Sequence, residues 1–286
     1  SRRGKRTYSY DPIGQLTDVR ADQRELESYA YDLSGNRHDR RQGAALRTYG
    51  PGGLLEKSGG TTFVWDHAGR LVEKRVPSRD QKEPEEVTRY RWSGVGMLSA
   101  VERPDGMVVE FEYDPFARRV QKRVLQSEPS GRKTLVEATR YVWDGAALVH
   151  EIKRRAAEDG NPVVVERTYV FEQGRTAPRA HRDVRTENGE RVESPWWHYL
   201  NDDSGAPEML VGADGSVACD LARDTWGMAT PEPGAVTDTP FRFRGQYADI
   251  ETGLSYHRHR YYDPELGRYI SADPIGVDGG LNAFAY

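Results

Sequence analysis

The chain has 286 residues, 36% hydrophobic, 30% charged and 10% aromatic, with a mean hydropathy of -0.81. Its 16 tyrosines and 6 tryptophans exclude a disordered chain, which would be poor in both, yet the low hydropathy implies less buried apolar area per residue than a compact globule has. The 41 basic and 45 acidic residues are spread along the sequence, so the net charge of -4 hides no basic block and no nucleic-acid footprint.

Cys219 is the only cysteine, which excludes an intrachain disulfide and a cysteine-based zinc cluster. Nothing in the sequence calls for a cofactor or metal. No apolar run approaches the roughly 18 residues of a membrane span, and the N-terminal "SRRGKRTYSY" lacks the apolar core of a signal peptide. A chain that starts at Ser1 rather than Met points to a fragment or a processed product.

From the N-terminus onward a short unit recurs: an aromatic, then Asp, then Gly four positions after the aromatic, often with Leu two further on. It occurs as Tyr10-Asp11 with Gly14 and Leu16, as Tyr31-Asp32 with Gly35, and as Trp65-Asp66 with Gly69 and Leu71. Looser copies are Tyr49 with Gly53 and Leu55, Trp92 with Gly96 and Leu98, Tyr113-Asp114 with Ala117, and Trp143-Asp144 with Ala147. The spacing between copies is irregular, which argues against a propeller of constant blade length.

Each unit reads as a hairpin. Segments such as "TTFVWD", "VVEFEYD" and "TRYVWD" are rich in β-branched and aromatic residues with alternating polarity, as half-buried strands require. Asp opens the turn by bonding local backbone N–H groups, and Gly supplies the positive φ that reverses the chain. In the return strands "RLVEKRV", "RRVQKRV" and "ALVHEIKR", alternation predicts Leu and Val on one face and Lys, Arg and Glu on the other. "RRAAEDGN", residues 154–161, reads as a loop. The fold class is therefore all-β, built of meandering antiparallel hairpins, with Asp11, Asp32, Asp66, Asp114 and Asp144 serving turns rather than catalysis.

At the C-terminal end, two Asp-Pro steps (Asp263-Pro264 and Asp273-Pro274) and the Asp278-Gly279-Gly280 run are turn formers by themselves. His257 and His259, two apart, would share one face of a strand as in some metal sites, but no third ligand stands out. Trp196-Trp197 reads as packing rather than a sugar platform. No G-x-S-x-G elbow occurs.

The "YDxxGRL"-type units resemble the YD repeats of Rhs (rearrangement hot spot) proteins, a group that includes the C components of Tc toxins and the teneurins. Residues 196–227 resemble the segment that precedes the Rhs core in bacterial members, and "FRFRGQYADIETGLSYHRHRYYDPELGRYISADPIGVDGGLNAFAY", residues 241–286, resembles the Rhs-associated core itself. The resemblance covers essentially the whole chain. It implies a YD-repeat shell wall over 1–195 and a core region over 196–286 that closes the shell, together part of a hollow β-shell, or cocoon. Such shells enclose a toxic C-terminal domain in type VI effectors and Tc toxins. A thin wall wetted on both faces agrees with the low hydropathy.

The resemblance also implies that the core cuts the chain after itself and frees the toxin. It places an essential aspartate at Asp273, a second acidic residue at Asp278 and an arginine at Arg260, while Asp263 makes a turn. One carboxylate would be ionised to activate a water and the other protonated to polarise the scissile carbonyl, since two close carboxylates share a proton. The arginine would hold one of them charged, and Gly279 and Gly280 would let backbone approach the substrate strand. Family members continue past this run to a second Asp-Pro segment where the cut falls, whereas this chain stops at Tyr286.

The implied partners are the protein's own encapsulated C-terminal toxin domain, the remaining N-terminal shell, and a secretion-spike protein or chaperone. Open edge strands predict assembly with shell partners or an oligomer. The implied location is synthesis in a bacterial cytoplasm followed by secretion or delivery to a target cell. A surface binding or adhesion module, as in the teneurins, is the competing class, and a carbohydrate-active β enzyme a more distant one.

Overall fold

The computed structural model describes residues 6–21, 24–40, 46–78, 80, 84–156, 161–172, 174 and 176–285. Among them the chain is all-β, with no α-helix. It forms two compact units, one built from residues 1–88 with 268–286 and one from 89–267.

The first unit opens with an antiparallel meander of Arg6–Tyr10, Leu16–Ala21, Arg24–Tyr31 and Arg37–Asp39. A second meander follows as Arg47–Tyr49, Leu55–Ser58, Thr61–Trp65 and Leu71–Val76. In the second unit, strands pair with their sequence neighbours from Glu86–Trp92 through Leu98–Glu102, Met107–Tyr113, Arg119–Ser127, Lys133–Asp144, Ala147–Arg155 and Val163–Phe171 to Pro178–Glu187. Pro178–Glu187 then pairs with both Glu190–Glu193 and Trp197–Asn201. Pro207–Val211, Val217–Arg223 and Ala229–Pro231 continue the meander. A separate antiparallel sheet holds Tyr247–Asp249, Leu254–His257 and Arg260–Asp263.

The repeated unit is a hairpin with one fixed turn. In the first copy Asp11 N–H donates to Gln15 O at 2.9 Å and Gly14 N–H to Asp11 O at 3.0 Å, while Asp11 Oδ1 accepts from Ile13 N at 3.1 Å and Gln15 N at 2.8 Å. The same set recurs around Asp32, Asp66 and Asp114. Where Ser93 replaces Asp, its hydroxyl takes over and accepts from Met97 N at 3.1 Å. Gly69 sits at φ +70°, and Ala117 adopts φ 59° at the same turn position without being glycine. Asp144 differs, because Asp144 pairs directly with Ala147 across a shorter turn.

A second regularity is invisible in any one copy. The motif aromatic donates to the carbonyl of the residue six positions after the aromatic of the preceding copy. Tyr31 Oη bonds Leu16 O at 2.8 Å, Tyr49 Oη bonds Arg37 O at 2.6 Å and Trp65 Nε1 bonds Leu55 O at 2.7 Å. In the second unit Tyr113 Oη bonds Leu98 O at 2.7 Å and Trp143 Nε1 bonds Arg119 O at 2.8 Å. The carbonyls bonded are those where the return strand begins after its bulge, so each aromatic satisfies a backbone acceptor that the irregular ladder leaves over.

Three expectations need correction. Alternation in "RRVQKRV" and "ALVHEIKR" does not keep charge outside, since Arg119, Lys122 and Glu151 are all buried. Bulges at Glu112/Tyr113 and Val142/Trp143 shift the register, and the buried groups find partners on the inner side. His257 and His259 do not share a strand face: His257 pairs with Arg260, and Arg258 and His259 form the turn between them. The strand Ala147–Arg155 takes up the first residues of the loop expected over 154–161, and 157–160 lie outside the described residues.

Candidate functional site

Asp273 lies in the first unit, at the end of a stretch held on both sides. On one side Leu71 N donates to Ile270 O at 2.9 Å and Ala272 N to Gly69 O at 3.2 Å, so the stretch is paired with the turn after Trp65. On the other side Tyr269 N donates to Phe284 O at 3.0 Å and Asp273 N to Ala283 O at 2.9 Å. The half-buried Asp273 carboxylate accepts from Ile275 N at 3.1 Å, and its carbonyl accepts from Gly276 N at 2.9 Å.

Gly279 makes room for that carboxylate. A Cβ at Gly279 would lie 3.0 Å from Asp273 Oδ2 and 3.2 Å from its Cγ, closer than nearly all real Cβ contacts. Asp278 is exposed on the 3₁₀ turn Gly276–Gly279. Arg260 is half-buried and begins the strand Arg260–Asp263 in the second unit, beside His257. Burial, with the charges of Arg260 and His259, pulls the His257 pKa down. Among the described residues no cluster of three or more His, Cys, Asp or Glu is arranged to hold a metal.

The residues around Asp273 are fixed by the repeats. Asn282 Nδ2 donates to Gly35 O at 2.9 Å, Arg268 Nη2 to Gly53 O at 2.7 Å, and Ala272 N to Gly69 O at 3.2 Å. Those acceptors are the turn glycines of the second, third and fourth copies. The C-terminal segment is thus laid across three successive turn tips and bonds a carbonyl at each. The same turn position accepts in the second unit, where Tyr256 Oη bonds Ala117 O at 2.7 Å.

Arg268 is buried, its guanidinium lies 4.7 Å from the Phe284 ring centroid and 5.3 Å from that of Tyr49, and its Nε has no partner among the described residues. Burial, reinforced by the charges of Arg47 and Arg37, pushes its pKa down to about 10.

The second unit holds a buried ionic cluster that sequence reasoning missed. Arg119 is 1% exposed and its guanidinium lies 4.7 to 5.3 Å from the ring centroids of Phe111, Tyr141, Tyr247 and Tyr256. It bonds Asp249, and Lys122 Nζ bonds Asp249 Oδ1 at 3.2 Å and Glu251 Oε2 at 2.8 Å. Burial works against the charge of both cations. For Arg119 the Asp249 carboxylate with Tyr141 and Tyr261 outweighs it, and for Lys122 Tyr141, Asp249 and Glu251 together do, so both pKa values are raised. The buried Glu151 accepts from Tyr169 Oη at 2.9 Å and Tyr247 Oη at 2.6 Å. The strand Tyr247–Asp249 is therefore anchored by charge to strands Arg119–Ser127 and Ala147–Arg155. The available signal was the pair Arg119 and Lys122 in a strand that also carries Val124, with Asp249 and Glu251 in the core run.

A cavity of about 400 Å³ opens beside this cluster, with Lys122, Glu151, Arg167, Arg242 and Tyr247 in its wall. Asp273, Asp278 and Arg260 do not line it. His181 is fully buried between Tyr199 Oη at 2.9 Å and Thr237 Oγ1 at 3.0 Å, and burial together with the Arg167 charge pulls its pKa down to about 3.

Comparison with known proteins adds three findings. The model of the teneurin YD-shell family matches residues 1–128 and 192–279. The chain is 33% identical over 304 residues to the double-stranded DNA deaminase toxin A of Burkholderia cenocepacia, covering 100% of this chain and 20% of that protein. It is 31% identical to the probable deoxyribonuclease RhsB of Dickeya dadantii, covering 98% of this chain and 20% of the relative. The chain thus spans about a fifth of the length of these relatives. Among solved structures, the TcdB2–TccC3 crystal structure superposes with a TM-score of 0.55 at 18% identity, covering 98% of this chain and 16% of the other. At that identity the likeness speaks for the fold.

Proposed function

Because this chain belongs to the teneurin YD-shell family and is similar to Rhs-type toxins, we propose that it is the C-terminal part of a toxin-encapsulating shell that cuts itself. Residues 1–195 form repeat wall and residues 196–286 the core that closes it. The enclosed partner is the protein's own C-terminal toxin domain, and the rest of the shell lies N-terminal to this chain. The protein is made in a bacterial cytoplasm and secreted or delivered to a target cell, as a type VI effector would be, with a secretion-spike protein or chaperone as partner.

In this reading the core performs one hydrolysis on its own chain. One carboxyl group of the Asp273–Asp278 pair takes a proton from water, whose oxygen bonds to the scissile carbonyl carbon. The other polarises the carbonyl oxygen, and Arg260 keeps charge balanced. The C–N bond then breaks and the leaving nitrogen takes a proton, so water supplies the acid to one product and the hydrogen to the amine. The observation that carries the reading is the setting of Asp273. Its amide is bonded to the Ala283 carbonyl, and its carboxylate is seated against Gly279.

The test is a chain extended past Tyr286 by its natural sequence, followed by intact mass and SDS gel. The parent is expected to separate into two pieces, and Asp273→Asn and Gly279→Ala to stay whole, the second because a Cβ displaces the carboxylate. Toxin release unchanged in Asp273→Asn overturns the reading.

A further inference from the structure

We infer that the cavity of about 400 Å³ in the second unit is a binding site for a small monocarboxylate with an apolar body, held by the guanidinium of Arg242. The inference is independent of the self-cleaving reading above, because Asp273, Asp278 and Arg260 do not line this cavity.

Every charged group in the cavity wall except Arg242 is matched within the fold. Lys122 Nζ bonds Asp249 Oδ1 and Glu251 Oε2 at 3.2 and 2.8 Å, and Lys153 Nζ lies 3.6 Å from Glu137 Oε1. Arg167 holds Asp183 at 2.6 Å and Asp238 at 3.1 Å, and Glu151 accepts from the hydroxyls of Tyr169 and Tyr247. Arg242 is only 8% exposed, yet among the described residues its guanidinium enters no ion pair. Burial pushes its pKa down, against the pull of the Asp238 charge. A buried cation without a bonded carboxylate is the costly state that a ligand anion relieves.

The atoms left free fit one shape. Arg242 Nη1 donates to Thr239 O at 2.7 Å and to Phe241 O at 3.0 Å, which uses both of its hydrogens and fixes the plane of the group. Nε and Nη2 carry no hydrogen bond among the described residues, and neither is sealed from solvent as the Nε atoms of Arg119 and Arg268 are. Together Nε–H and Nη2–H form the side-on edge of the guanidinium, whose two parallel donors match the two oxygens of a carboxylate. One unpaired cation balances one negative charge. Glu151, Asp238 and Glu251 in the same wall repel a second, which disfavours a phosphate dianion. Val165, Pro231, Pro240 and Ile250 supply apolar wall for the rest of the molecule.

The test titrates the full chain with benzoate, hexanoate, benzamide and inorganic phosphate, read by calorimetry and by amide chemical shifts. At least one of the two carboxylates is expected to saturate at one site and to shift the amides of residues 229–231 and 238–251. Benzamide, which keeps the ring and loses the charge, and phosphate are expected to bind roughly tenfold or more weakly. Arg242→Met should weaken the carboxylate by roughly tenfold or more, and Arg242→Lys, which keeps the charge without the fork, should restore only part of it. Should the Arg242 variants unfold, Ile250→Glu supplies the second reading, since Ile250 is exposed on the rim and a negative charge there should weaken the carboxylate and leave benzamide unchanged. Failure of both carboxylates to saturate overturns the site. So does equal binding of benzamide, tighter binding of phosphate, carboxylate binding by Arg242→Met as strong as the parent's, or carboxylate binding unchanged in Ile250→Glu.

Discussion

His181 shows how much one buried side chain can carry. Nothing in "APRAHRDV" marks it, because alternation assigns it to a face without saying what that face meets. The structure closes it between two hydroxyls and holds its pKa near 3, against 6.5 in an unfolded chain. Between those values the unfolded state binds the extra proton, so stability is lost as pH falls from 6.5 toward 3. From pH 7 to pH 5 the His181 share of that loss is about 2 kcal/mol. His257 contributes with the same sign. The turn aspartates Asp32, Asp66 and Asp114 are held below 3.8, so their share is lost only at lower pH. Urea midpoints at pH 7 and pH 5 should therefore diverge in the parent and converge, though not fully, in His181→Gln. Equal divergence in both proteins would remove His181 as the cause. The turn aspartates were the legible residues, since their chemistry is local and complete within five positions. Gly279 was legible as a glycine but not in its role, which depends on a carboxylate six residues earlier.

At the level of strands and hairpins, the sequence carries the period of the repeat and loses the faces. A tight turn can be read from Asp and Gly alone. The same turn also forms at Asp202 and Asp224, where Asn201 and Arg223 stand in place of the aromatic and hide the copy. Inward-facing charge is harder still, because an arginine in a strand reads as outside until its acid partner, 130 residues away for Arg119, is known. That pair fixes the core strand Tyr247–Asp249 to the wall strand Arg119–Ser127. Asp249→Asn leaves Arg119 buried without its carboxylate and Lys122 with Glu251 alone, and should cost about 3–5 kcal/mol, whereas joining it with Arg119→Met should cost much less than the two singles summed. The measurement is the urea midpoint at constant slope across the double-mutant cycle. Additive losses would show that Arg119 and Asp249 do not act as a pair.

For the molecule as a whole, contacts join segments far apart in the chain. The first compact unit holds residues 1–88 with 268–286, and the second holds 89–267. Sequence pattern has no means of showing this, because Arg268 and Asn282 bond backbone carbonyls of turn glycines, acceptors that carry no side-chain signature. The consequence is kinetic as well as structural. The first unit cannot complete itself until residues 268–286 are made, and closing so long a loop must be offset by what those residues contribute. They contribute the Arg268 bond to Gly53 O, the pairing of Ile270 and Ala272 with the turn after Trp65, and the Phe284 ring against Trp65. Removing residues 268–286 should therefore expose the amides of Thr61–Trp65 and Leu71–Val76 to hydrogen exchange. The strands from Met107–Tyr113 to Val163–Phe171 should keep their protection, because their ladders and the Arg119 cluster lie wholly in the second unit. Equal loss of protection in both sets would show that the two units do not stand independently, and that the C-terminal segment supports the entire chain instead of the repeats it touches.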